Sequence, residues 1–223
     1  MHLIQVSDEQ ADNTCRNSVG GHPFLPAEVA VPCCRICNEE MALFLQLCIR
    51  AEFGLPFQEG SQLIVFMCPS HNECSDGVGG DETEDGRQPE KYWETVEGHY
   101  CLYLFPPGEF QPARLDKRIS SRKLQFEQAE EEVQDWTDFK KGSYDSKVGG
   151  VPGWMNYCVE EVCSCGGKIS FVCQVSETEE FEATPEYEDD FEAPYTLFLG
   201  NQVYILACEE QCNPRAVVAV CDN

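Results

Sequence analysis

Short runs of branched and aromatic residues, each bounded by glycine, proline or acidic clusters, dominate the hydrophobic pattern of this chain. Residues 63–67, 100–105, 169–175, 202–207 and 216–221 are runs of this kind and are expected to be strands. One stretch departs from the pattern. Residues 122–139 carry good helix formers, with Phe126, Ala129, Val133 and Trp136 spaced by three, four and three along one helical face. A helix is expected there. Residues 75–90 have no periodicity and read as a mobile loop.

Self-similarity organises the strands. Val19-Gly20-Gly21-His22-Pro23 returns as Val148-Gly149-Gly150-Val151-Pro152, an offset of 129. A close cysteine pair follows each copy, Cys34/Cys37 and Cys163/Cys165, and nine residues after each pair comes a glutamine in an apolar run, Gln46 or Gln174. Gly60 to Cys68 then matches Gly200 to Cys208 at an offset of 140. Four landmarks in one order imply a tandem duplication. The expected fold is mainly β (α+β): two structurally similar β-rich repeats with a connecting helix, packed as one globular unit. Residues 1–110 form the first repeat, 111–144 the linker with its helix, and 145–223 the second repeat.

The offset grows because the second copy has gained twelve residues after its glutamine strand, where residues 177–192 carry nine acids and no base. A like-charge run is ordinarily a solvated loop. Phe181, Tyr187 and Phe191 interrupt this one, and aromatics among acids also suit a surface that docks a basic partner. The partner-binding candidates are Glu177, Glu179, Glu180, Glu182, Glu186, Tyr187, Glu188, Asp189 and Asp190.

Composition narrows the function. With 40 acids against 15 bases the formal charge is −25, which argues against binding to nucleic acid or to an anionic membrane. The longest largely apolar run, residues 41–49, is too short to span a bilayer, and the N-terminus has no signal-peptide pattern. A cytoplasmic protein is expected, with basic proteins as its natural partners. Fifteen cysteines without a secretion signal are unlike a disulfide framework, and an odd count leaves one thiol unpaired in any such scheme.

Eight of the cysteines occupy repeat positions. Cys34 and Cys37 precede Cys68 and Cys74, with His71 between the last two; Cys163 and Cys165 precede Cys208 and Cys212. Two close thiolate pairs per half suit a tetrahedral site of four cysteines, but the spacings Cys-x-Cys and Cys-x5-Cys depart from the usual one. Buried free thiols are therefore the ordinary reading, no cofactor is firmly assigned, and structural zinc is the one candidate. The other seven, among them Cys48, Cys101 and Cys173, are assigned to core packing. Motifs of metalloprotease, P-loop, nucleophile-elbow or dinucleotide type are missing, and no catalytic residue is assigned.

Residues 17–26, 41–46 and 63–68, then 147–154 with its Lys-Val-Gly-Gly-Val-Pro-Gly-Trp and 163–174, together resemble the bacterial YwqG-like family, over nearly the whole chain. A more distant likeness is to the eukaryotic programmed cell death protein 2 group, whose zinc-finger insertion has no counterpart here. The resemblance implies a non-enzymatic, protein-binding role: an immunity protein that neutralises a cognate bacterial toxin, with a nuclease effector the best fit to the charge. A chaperone-like holder of a basic protein is the alternative, and a metal-dependent enzyme of unknown reaction the second.

Overall fold

The computed structural model describes residues 1–73, 86–94, 98–137, 139–156, 158–190 and 192–222. Ten strands form one antiparallel sheet that curls until its edges almost meet. They are β1 (His2–Val6), β2 (Ser18–Val19), β4 (Ala42–Cys48), β5 (Gln62–Met67), β6 (Tyr100–Phe105), β8 (Arg122–Gln128), β11 (Lys147–Val148), β12 (Ile169–Val175), β13 (Gln202–Cys208) and β14 (Val217–Asp222), in the spatial order β14-β13-β12-β11-β1-β8-β2-β4-β5-β6. Two small ribbons are added, β3 (Phe24–Leu25) with β7 (Gln111–Pro112) and β9 (Gln134–Asp135) with β10 (Lys140–Lys141). At the seam between the edge strands β6 and β14, the Leu104 amide donates to the carbonyl of Pro214 at 2.7 Å.

Alternation explains how one sheet serves three apolar clusters, because successive strand residues face opposite sides. On β5, Leu63, Val65 and Met67 enter the central core while Ile64 and Phe66 pack outward with Cys34 and Cys68. On β13, Val203, Ile205 and Ala207 enter the same core, and Tyr204, Leu206 and Cys208 pack outward with Trp154 and Cys163. Both glutamine strands carry a register shift at corresponding places, between Leu43 and Leu45 on β4 and between Phe171 and Cys173 on β12. Gln46 and Gln174 are fully buried and anchor the preceding turns. Gln46 accepts from the Phe24 amide at 3.0 Å and donates to the His22 carbonyl at 2.7 Å. Gln174 accepts from the Gly153 amide at 2.9 Å and donates to the carbonyls of Ser143 and Asp145 at 2.9 and 2.8 Å.

The expected helix over residues 122–139 is absent: β8 and β9 occupy that stretch. Leu124 and Phe126 alternate with charged or polar neighbours, and this period of two lets β8 pair along all five residues of β1. Insertion between β1 and β2 satisfies backbone groups that a helix would leave the sheet without, so tertiary pairing overrides helix propensity. The would-be helical face is not even buried, since Val133 and Trp136 are 40% and 50% exposed. Among the described residues the helical elements are three-residue 3-10 turns, and no helix is long and apolar enough to cross a membrane.

The acidic stretch is not a free loop either. Phe181 is buried with its ring 5.1 Å from that of Phe44, and its backbone exchanges hydrogen bonds with Tyr195. The Ser120 amide donates to the Glu182 carbonyl, and the Thr184 amide to that of Arg118. The segment thus straps the second half onto the first. Phe191 lies outside the described residues, as does most of the loop expected over 75–90. The described part of that loop is fixed, with Gln88 donating its amide to the Val162 carbonyl at 2.8 Å.

Candidate metal centres and an acidic turn

Two clusters of metal-ligating side chains lie on the outer faces of the sheet, one per half. The first gathers Cys34, Cys37, Cys68 and His71; the second gathers Cys163, Cys165, Cys208 and Cys212; within each, the ligand atoms lie within 4.8 Å of one another. Each cluster draws its first pair from a tight knuckle before the glutamine strand. The Cys34 amide donates to the Glu39 carbonyl and the Cys163 amide to that of Gly167, both at 2.8 Å, closing the turn that brings the thiols together. The second pair comes from the end of β5 or β13 and the loop behind it. His71 stands where Cys74 is expected, and Cys74 lies outside the described residues. A histidine three residues after Cys68 reaches the site through a single turn, with its amide on the Cys68 carbonyl.

The spacing fits a tetrahedral ion. Four ligands about 2.3 Å from one zinc lie about 3.8 Å apart. In the first cluster, Cys37 and Cys68 sulfurs are 3.7 Å apart, and His71 Nδ1 lies 3.4 Å from Cys68 Sγ and 3.8 Å from Cys34 Sγ. In the second, Cys163–Cys212 and Cys165–Cys208 are 3.6 and 3.5 Å apart. Backbone amides also point at the sulfurs, Ile36 to Cys34 and Gly167 to Cys165, both at 3.4 Å. Such donors stabilise thiolate.

Ionisation is divided within each cluster. Burial opposes ionisation of Cys34, but the Cys37 and Ile36 amides outweigh it and lower the thiol. The Gly167 amide lowers Cys165. Burial pushes Cys68 up to about 12 and Cys208 to about 11, reinforced by neighbouring cysteines. Three thiols beside an imidazole, or four thiols, this close cannot all ionise alone; a dication relieves the repulsion. The residues present therefore fit a metal at both places. Of the seven cysteines assigned to packing, Cys101 and Cys173 are buried, whereas Cys15, Cys48, Cys158 and Cys221 are half-buried and Cys33 is exposed. The packing role holds fully for two.

The partner-binding candidates are split between strap and tip. Glu179 accepts from Ser146 Oγ at 3.0 Å and Glu182 pairs with Arg122 at 2.7 Å, so both serve the strap. Glu177, Glu180, Glu186, Glu188, Asp189 and Asp190 are exposed and Tyr187 is half-buried. Asp190 accepts from the Tyr195 hydroxyl at 3.0 Å, and amide bonds from Tyr187 to Thr184 and from Asp190 to Tyr187 hold the turn in shape. Tyr187 and Asp190 line a cleft of about 500 Å3 together with Glu39, Glu40, residues 114–118, Leu43 and Phe66. A smaller cleft, about 320 Å3, is lined mostly by residues of the second half. Lys168, Phe171 and Leu206 are among its lining residues. Neither cleft was legible in the sequence, because each joins segments far apart in the chain.

No protein-family model matches the chain, and no curated protein matches it significantly.

Proposed function

We propose that this chain is a non-enzymatic protein-binding protein, an immunity protein that acts in the cytoplasm and neutralises a basic bacterial toxin, with a nuclease effector as the best fit. The observation carrying the reading is the acidic turn around residues 185–190. Its carboxylates are exposed while its backbone is fixed by the strap, so a cationic surface can be met without ordering a loose loop. The net charge of −25 adds long-range attraction and a fast encounter. A nuclease must attract phosphates, so its active face is basic and can be occluded by such a turn.

We also read the scaffold as a duplicated β unit with one structural zinc in each half. Matching bulges, buried turn-anchoring glutamines and quasi-equivalent Cys/His clusters support this. With four protein ligands no coordination position is left for substrate, and the metal's contribution is to hold two knuckles to their sheet.

The test is a complex between this protein and the toxin encoded beside its gene. Neutralising Glu180, Glu186, Glu188 and Asp189 together should weaken binding and flatten its dependence on salt. Full protection from the toxin by that variant would remove the turn from the interface. No binding and no protection by the unaltered protein would remove the immunity reading.

A further inference from the structure

The loops that supply the second ligand pair of each cluster also reach across to the opposite half. Asn72, directly after His71, is buried; its Nδ2 donates to the Thr196 carbonyl at 2.6 Å and its Oδ1 accepts from the Leu199 amide at 3.4 Å. Gln211, directly before Cys212, makes the reverse connection. Its Nε2 donates to Ser61 Oγ at 3.0 Å and its Oε1 accepts from the Gln58 amide at 3.3 Å. Two residues past Cys212, Pro214 receives the seam bond from Leu104, and Arg215 donates to the Trp93 carbonyl at 2.7 Å. Gln211 holds a left-handed φ of +44°, which a non-glycine residue adopts only when its surroundings impose it. The second knuckle is gripped from the first half as well, since Val162 and Gly86 are bonded through their backbones and Arg87 reaches the Ser164 carbonyl at 2.6 Å.

From this reciprocal arrangement we propose that the two clusters are energetically coupled metal sites. A tetrahedral divalent cation bound at either cluster fixes the loop that clamps the other half, closes the seam between β6 and β14, and thereby preorganises the second cluster. The proposal rests on the reading that both clusters bind metal. Coupling follows because the loops order against a shared seam: the first ion meets most of that ordering cost, and the second binds an arrangement already made. The effect must be the same in both directions, since it is a linkage between two equilibria.

The experiment is a cobalt(II) titration of the metal-stripped, reduced protein, followed by thiolate-to-cobalt absorption, with hydrogen exchange of the Leu104 amide measured in parallel. Cys37→Ser and Cys165→Ser each leave one cluster. Each should bind one cobalt at least ~10-fold more weakly than the same cluster in the protein that already holds the other ion. The variant Asn72→Ala with Gln211→Ala keeps every ligand. It should bind two ions without that advantage and exchange the Leu104 amide faster. Identical affinities in the unaltered protein and the single-cluster variants, or coupling that survives loss of Asn72 and Gln211, would overturn the proposal. If a cysteine variant does not fold, the Asn72/Gln211 comparison decides alone. Failure of the unaltered protein to bind cobalt at all would instead remove the metal reading itself, and the coupling with it.

Discussion

Glu131→Gln tests whether the buried ion pair behind the second Gly-Gly turn governs that half of the sheet. Lys147 is fully buried, and its ammonium is bonded to the Glu131 carboxylate and to the carbonyls of Ser143 and Val151, the latter two at 2.9 and 2.6 Å. Glu131 in turn accepts from the amides of Ser143 and Val151 at 3.2 and 2.8 Å. Glutamine keeps one acceptor and nearly the same shape but removes the negative charge. Breaking one partner of a buried pair costs about 3–5 kcal/mol, because the surviving charge stays desolvated. With a urea slope of about 2 kcal/mol/M, the midpoint should fall by about 2 M at pH 7. Burial already lowers the pKa of Lys147, opposed by Glu131, so losing the carboxylate lowers it further. A lysine whose folded pKa is depressed contributes stability present above its unfolded pKa and lost as pH falls through the folded one. The variant should therefore regain stability as pH is raised toward 10. Adding Lys147→Met should recover at least half of the loss at pH 7. A loss below about 1 kcal/mol for Glu131→Gln, or no gain at high pH, would refute the assignment of Lys147 as a desolvated charge.

Three further outcomes follow from the geometry. Phe181→Ala should cost about 3–5 kcal/mol in denaturant unfolding, since its ring fills the core beside Phe44, whereas Tyr187→Ala should change stability far less. Gly149→Ala should destabilise by at least about 1 kcal/mol, because Gly149 has φ +67° and an added Cβ would lie 2.7 Å from the Phe53 carbonyl oxygen. His71→Ala should abolish one of two bound metal equivalents, measured by elemental analysis after dialysis, and Cys74→Ser should leave both in place.

Much of the β framework was legible because its signals are local. Runs of branched residues between turn formers marked β5, β6, β12, β13 and β14 to within a residue or so, and the spacing of Gly-Gly, cysteine and glutamine landmarks located both knuckles. β1 and β8 were not legible. β1 is a five-residue run at the N-terminus and β8 (Arg-Lys-Leu-Gln-Phe-Glu-Gln) is mostly polar or charged, and the pairing of the two along five residues stabilises both as strands. Likewise the sequence pattern pointed to Cys74 as the partner of Cys68, with His71 only lying between them. The turn after β5 brings the His71 ring to the sulfurs, which the spacing of the cysteines did not announce.

The charge shows the same division. Sequence alone determined that the chain is strongly acidic, that the excess is densest in residues 177–192, and that eight of its thiols fall in four pairs along the chain. Tertiary structure decided which of those acids face solvent and which serve a strap, that Phe181 is core while the neighbouring turn is surface, and that the two clusters sit in loops clamping opposite halves. The reason is physical. Composition and periodicity report what each residue prefers by itself or with near neighbours, whereas burial and ligation depend on which distant segments the sheet brings together.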